Sequence, residues 1–420
     1  MRMKIAIIGT GISGNIATYL LNAEHDITVY EKNSYIGGHS RTLEIDYSGK
    51  KIAVDTGFIV FNYRNYPLLT GMFKHLGVKV DKSDMSFAAT INNGWLEYNA
   101  QSPLKLFAQK RNWLRPQYWG MIRDILKFFK AAKSILETND TSRTLGEFVN
   151  DLKLGKWFQQ YFLLPMGGAI WSCPVEQMLQ FPAHTFVRFF DNHGLLTVND
   201  QPQWYTVDGG SKNYVAKLTE SFVDKIRLNS AVKKVTRKNG KVQITDEHGQ
   251  TEIYDQVIFA SHADETLRML SDASDAEQEI LGAFEYQENT AYLHRDVALM
   301  PKNKNCWASW VYLSEQKQDK QPHISLSYWM NLLQNIDYNY PLFVTLNPAK
   351  APKDELTFNK HIFHHPVFTV KAIEAQEKIA QIQGQQNTWF CGAYQRYGFH
   401  EDGMLSGVKV AQALGAKLPW

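Results

Sequence analysis

An α/β fold of two intertwined domains is predicted by three features of the chain. A length of 420 residues, 44% apolar and 21% charged, supplies core for more than one domain. The stretch "IAIIGTGISG", Ile5 to Gly14, carries a buried strand through glycines into a helix. Near the other end, "WFCGAYQRYGFHEDGMLSG" again places a short strand, a glycine, a loop and a helix in that order.

The first of these segments is the most informative. Lys4 to Ile8 reads as a strand, and Gly9, Gly11 and Gly14 form GxGxxG at its exit. Gly9 permits the tight turn, Gly11 lets the backbone approach a pyrophosphate, and Gly14 allows helix to pack closely on strand. The amides around Ile12 and Ser13 then face the phosphates. A second strand, Asp26 to Tyr30, ends in Glu31, 20 residues after Gly11, followed by Lys32. A carboxylate there accepts hydrogen bonds from ribose hydroxyls and repels a 2′-phosphate, which disfavours NADP. Gly37 and Gly38, followed by His39, Ser40, Arg41 and Thr42, decide between NAD and FAD. A second glycine pair just after the ribose acid suits a cofactor lying extended under the chain, hence FAD.

Composition narrows the remaining classes. A net charge of +3 gives no whole-protein signal for nucleic acid, and no recognition motif is present. Cys173, Cys306 and Cys391 are widely spaced, so neither a disulfide framework nor a zinc site is expected, and a reducing cytoplasm fits. No apolar run has the length of a signal-peptide core or a membrane span. No GxSxG supports hydrolase chemistry.

These motifs resemble the flavin-containing amine oxidoreductase superfamily of amine oxidases, protoporphyrinogen oxidase and phytoene desaturases. Its GG-x-x-x-T element corresponds to Gly37, Gly38 and Thr42, with His39 where many members carry arginine. The resemblance implies a Rossmann-type FAD-binding domain, residues 1–64, 204–270 and 389–420. A discontinuous substrate domain of mixed sheet and helices, residues 65–203 and 271–388, completes the amine oxidase-like architecture. It also implies that Asp55, Thr56, Gly57, Phe58 and Ile59 run beside the isoalloxazine, that Val232 meets the adenine through its backbone, and that Ala260, Ser261 and His262 close over the dinucleotide. A helix starting near Gly403, after the loop from Gly392, would aim Gly403, Met404 and Leu405 at the flavin pyrimidine edge. A helix N-terminus contributes roughly 0.3 to 1 kcal/mol to a nearby anion.

One bacterial branch is similar over essentially the whole chain, through "LLPMGGAIWSCPVEQMLQFPAHTFVRFFDNHGLL", "FASHADETLRML" and "WFCGAYQRYGFHEDGMLSG". It comprises predicted NAD/FAD-binding proteins associated with cyclopropane-fatty-acid synthase-like methyltransferases. That similarity implies a lipid or fatty-acyl substrate and a fatty-acid methyltransferase as functional partner.

In the substrate half, Trp171, Phe181, Phe186, Phe189, Phe190, Trp204, Tyr328, Trp329 and Phe399 suit either an apolar pocket or plain core. Tyr394 and Tyr397 follow the last strand and are candidates for an aromatic pair beside the flavin, which also keeps amine oxidation open. His193, His294, His364, His365 and His400 are candidate acids or bases, since an ordinary imidazole titrates near 6.5. His400 and Glu401, inside the flavin loop, lead that set for catalysis. "HIFHHP", from His361, lacks metal-ligand spacing, so no metal is expected. Three functions remain in view: an FAD-dependent oxidoreductase or isomerase on acyl chains, a flavin amine oxidase, and a non-catalytic lipid or isoprenoid carrier.

Between Lys105 and Lys133 eight basic residues stand against one acid, a net of +7. As a helix over 118–136, Ile122, Ile125, Leu126 and Phe129 share a face opposite Lys127, Lys130 and Lys133. This composition fits an interfacial helix giving peripheral contact with the inner membrane face, or a lid helix with one solvated face.

Overall fold

The computed structural model describes residues 2–138, 142–171, 178–192, 196, 201–315 and 323–420. The apolar run Lys4–Ile8 forms β1, and Asp26–Tyr30 forms β2. β1 is central in a five-stranded parallel sheet ordered Ile226–Arg227, β2, β1, Gln256–Phe259, Thr388–Phe390. Three distant stretches of chain thus meet in one sheet. Five helices carry the argument: α1 (Ile12–Leu21), α2 (Pro67–His75), α3 (Pro116–Thr138), α4 (Asp275–Leu281) and α5 (His400–Ala413).

α5 lies against α1, and small residues set the spacing. A Cβ on Gly407 would come 2.3 Å from the Ser13 carbonyl oxygen, and one on Gly403 would come 2.9 Å from Ile12 Cγ2. α2 joins them in a core of Ile12, Ile16, Leu69, Met72, Met404 and Val408. Glu401 locks this corner, its carboxylate accepting from the Leu68 and Leu69 amides at 2.8 and 3.0 Å, at the start of α2.

The second large element is a seven-stranded mixed sheet. Its order is Thr357–Val367, Glu285–His294, Phe343–Leu346, His323–Trp329, Trp310–Glu315, Phe87–Ile91, Leu96–Asn99. Domain edges differ from those read in the sequence. Strand Val80–Ser83 pairs with Trp204–Val207, and α2 packs on α5 in a core shared with α1, so residues from 65 to 83 side with the nucleotide half. Likewise α4 and Val370–Lys378 share a core with Val235, Val257 and Phe259. Short pairings across long sequence gaps leave no local compositional mark.

α3 differs in orientation. Tyr118, Met121, Ile125, Phe128, Ala132 and Ile135 form its buried face, and Ile122 and Phe129 pack against the same core. Of Ile122, Ile125, Leu126 and Phe129, the apolar group read as one face, only Leu126 faces solvent. Among the described residues no helix is long and apolar enough to cross a membrane.

Beneath the hairpin Val232–Lys238/Lys241–Asp246, Arg237 is buried and forks onto both carboxylate oxygens of Glu277 in α4, one at 2.8 Å. Its Nε donates to Asp272 Oδ1 at 3.1 Å. Burial works to raise the Glu277 pKa, but the hydrogen bonds and charge of Arg237 and the Ser274 contacts hold it below the usual value. Removing one partner would strand the other in the core. Glu277→Ala is therefore expected to cost about 3 to 5 kcal/mol in denaturant unfolding, and the double variant Arg237→Met/Glu277→Leu distinctly less.

Candidate active site

Around the β1–α1 turn, glycines have separate steric duties. Gly9 has φ +107°, and a Cβ on Gly14 would come 2.0 Å from the Gly9 carbonyl oxygen, so α1 could not sit on β1 with any larger residue. Gly11 N-caps α1 without a side-chain hydrogen bond, and a Cβ there would meet nothing within 4 Å. It opens on a cavity of about 1070 Å³, at the upper end of the roughly 300–1,000 Å³ of small-molecule sites. Gly38, φ +58°, lies across from it, its Cβ position 3.1 Å from Gly11 Cα. A second backbone segment thus comes down on the first beside the opening.

Glu31 stands at the end of β2 on the cavity wall. Its Oε2 accepts from the Thr10 amide at 3.0 Å and hydroxyl at 2.6 Å, and its Oε1 from the Asn33 amide and side chain, both at 2.8 Å. The carboxylate is buried and fixed before any ribose arrives. Lys32, also lining, pairs with Glu265 at 2.5 Å. Ser230, Ala231, Val232 and Lys233 also line the wall, as do Ala260, Ser261 and His262. His262 stacks on Tyr286, ring centroids 4.4 Å apart.

Gly37, His39, Thr56, Gly57, Phe58 and Ile59 also line the cavity, as do Ile12, Ser13 and Gly392. A Cβ on Gly57 would come 2.1 Å from the His39 carbonyl oxygen. Thr42 and Ser40 do not line it. Thr42 Oγ1 donates to Asp55 Oδ1 at 2.5 Å, and Asp55 also accepts from the Ser211 amide and hydroxyl and from Gln334. Burial pushes the Asp55 pKa up to about 6, against those donors. Thr42 is thereby a brace behind the wall.

The C-terminal segment corrects one expectation. α5 begins at His400, three residues before Gly403. Gly403, Met404 and Leu405 are absent from the wall: Gly403 packs on α1, and Met404 lies in the core beneath. Tyr394, Tyr397, Phe399 and His400 line the cavity instead.

His400 is stacked on Phe58 at 3.9 Å and bonded through Nε2 to the Tyr214 hydroxyl at 2.6 Å, with Ser40 Oγ at 3.4 Å. Burial drives its pKa down to about 3. It is a neutral imidazole at neutral pH, not the acid–base group that an ordinary value near 6.5 would suggest. Glu401 turns away to α2, and burial raises its pKa to about 7. Tyr394 packs edge-on to Phe284 in the nucleotide-side core, while Tyr397 packs on the substrate-side core. Of the other aromatic candidates, Trp204 and Tyr328 line the cavity. Phe181, Phe186 and Phe190 are core, and Trp329 packs on Trp307. The side chains of Trp171, Phe189 and His193 lie outside the described residues, as does Cys173.

His361, Phe363 and His365, on strand Thr357–Val367, line the cavity together, a wall of which only His365 stood among the candidate acids and bases. Their period-2 spacing was the available signal. His39 sits against them, 5.1 Å from Phe363 and 5.3 Å from His365. Burial and the neighbouring imidazoles drive the His39 pKa well below its usual value, and burial brings His365 to about 4. His294 is a core residue bonded to Thr345 at 2.7 Å. Among the described residues no group of three or more His, Cys, Asp or Glu could hold a metal ion.

These residues fit FAD. Two buried polar atoms on the wall, His39 Nε2 and the Tyr394 hydroxyl, have no partner within the protein. The uncapped start of α1, the open space over Gly11 and the pre-set Glu31 match a dinucleotide extended along this cleft.

The fold recurs in solved structures. The CLA-producing fatty acid isomerase from P. acnes aligns over 99% of both chains at TM-score 0.69 and 15% identity. Cyclohexylamine oxidase from Brevibacterium oxydans IH-35A aligns over 99% of both at 0.72 and 13%. Reduced UDP-galactopyranose mutase covers 99% of this chain and 94% of its own, at 0.65 and 16%. No curated protein matches by sequence. The sequence profile described as "Flavin containing amine oxidoreductase" matches residues 15–291. With that profile spanning the strand after the glycine turn, the covering histidine loop and the hairpin beside it, the chain belongs to the flavin-containing amine oxidoreductase family.

Proposed function

We propose that this flavoprotein acts on a fatty-acyl chain, at a carbon activated by a neighbouring double bond or oxygen, by desaturation or by shifting a double bond. The observation that carries this reading is the wall contributed by the seven-stranded sheet and the helix Leu164–Trp171. Phe87, Trp310, Tyr328, Val344, Leu346 and Met166 line it. The charged lining residues Glu31, Lys32, Lys233, Glu265 and Arg268 all belong to the nucleotide side. A charged substrate group would find no Asp, Glu, Lys or Arg on this wall to offset its lost water, whereas an apolar chain needs none.

FAD, when bound, supplies a two-electron acceptor. The residues of this chain supply position and dryness, which hydride transfer needs more than strong acids. An unactivated alkyl chain is a poor hydride donor, hence the restriction to an activated carbon. Loss of a hydride and a proton from adjacent carbons gives a new double bond, and return of both at another position gives an isomer. The end-to-end similarity in fold to a fatty acid isomerase supports the reading, as does the branch associated with fatty-acid methyltransferases, which would work on the same lipid. Amine oxidation is the second reading, favoured by Tyr394 and Tyr397 on the wall.

Anaerobic incubation of the holoprotein with unsaturated fatty acids and phospholipids, read by flavin absorbance and lipid mass spectrometry, is expected to show altered acyl chains. Unchanged lipid together with hydrogen peroxide release from amines in air would replace this reading with the second. Gly11→Trp, whose side chain extends into open space, is expected to abolish the yellow chromophore while far-UV circular dichroism is retained. Full FAD content in that variant would refute the placement of the diphosphate. Because His400 stays neutral, turnover is expected to show no inflection from it between about pH 5 and 8. An inflection near pH 7 that Glu401→Gln removes would instead assign the proton to Glu401.

A further inference from the structure

The turn that precedes α3 and the outer side of that helix together form an unusual surface. Leu104 and Leu114 are 84% and 87% exposed, Trp113 and Trp119 52% and 45%, and Leu126 55%. Single exposed apolar residues are ordinary, but these belong to one short stretch and three rings are locked together. Phe107 stacks on Trp113 at 4.0 Å and lies 4.8 Å from Trp119, and the Trp119 indole donates to the Trp113 carbonyl at 3.0 Å. The tryptophans are therefore held outward by structure.

Within residues 104–133 the exposed charges have one sign. Lys105, Lys110, Arg111, Arg123, Lys127, Lys130 and Lys133 are exposed. The one acid of that stretch, Asp124, is buried and accepts the Gly155 amide at 2.8 Å. Lys127 reaches the Leu152 carbonyl at 2.6 Å, which brings exposed Lys153 and Lys156 alongside. A second copy of the chain would set two such cationic surfaces face to face. An anionic bilayer complements all three components, taking leucine into the acyl boundary, tryptophan at the headgroups and Lys/Arg against lipid phosphate.

We propose that residues 104–133 dock the protein onto anionic lipid bilayers. The inference does not depend on the substrate reading. It is consistent with that reading because the core that buries Tyr118, Met121 and Phe128 of α3 also holds the cavity residues Phe87 and Met166. The membrane-facing element is thus the outer layer of the apolar half.

The test is sedimentation of the holoprotein with vesicles of phosphatidylcholine alone and of phosphatidylcholine with one third phosphatidylglycerol. Binding is expected to the anionic vesicles only, to fall steeply with added salt, and to be accompanied by a blue shift in tryptophan emission. Leu104→Ser/Leu114→Ser and, separately, Lys130→Glu/Lys133→Glu are each expected to weaken it by about tenfold or more, with FAD content and melting unchanged. Absence of binding to anionic vesicles at low salt would overturn the proposal. So would binding that neither variant alters, or a concentration-dependent dimer that Leu114→Ser dissolves in a protein that ignores vesicles.

Discussion

The approach of backbone to backbone at the β1–α1 turn is the constraint on which the rest of the molecule depends. With the Gly14 Cβ position 2.0 Å from the Gly9 carbonyl oxygen, and that of Gly9 2.8 Å from the Ala260 carbonyl oxygen, three chain segments are fitted without side chains between them. Their closeness brings the α1 amides to the cavity and lets Gly38 descend across Gly11. An added methyl group at Gly9 or Gly14 would push apart the strand, the helix and the segment at Ala260 together. The site is thus built from absences of volume in one place and surrounded by bulky rings elsewhere.

Features governed by local sterics were legible in the sequence. Gly9 and Gly14 announce the turn because no other residue type tolerates their contacts, Gly11 marks the open side between them, and Glu31 is recognisable from its distance along the unit. Thr42 lies in the same motif as the cofactor residues, yet its hydroxyl braces Asp55 from behind. Gly403 reads in the sequence as a helix start aimed at the cofactor, whereas in space it and Gly407 are the thin side of a helix pressed on α1. Sequence spacing shows that smallness is needed, but not whether a ligand or a neighbouring helix requires it.

Long-range assembly was much less visible. Strand Val80–Ser83 joins Trp204–Val207 across more than a hundred residues, and nothing within either strand encodes the partner. For α3, periodicity gave a helix, but a helix with apolar residues on more than one side can be rotated, and core packing decided the rotation. Protonation follows the same logic. His400 is an ordinary imidazole in the sequence, and only the enclosure by Phe58, Tyr214 and Ser40 shows that it remains uncharged. Glu401, its neighbour along the chain, points into a different corner and tends in the opposite direction.

The edge strand Thr388–Phe390 and the helix behind it have a bearing on biogenesis. They complete a sheet whose central strand is Lys4–Ile8. A ribosome-bound chain lacking residues 388–413 has one side of the cleft open to water and α1 bare along the face that Gly407 covers. Capture of the prosthetic group must therefore wait until translation has passed that region, and any earlier fragment exposes apolar surface that chaperones would have to shield.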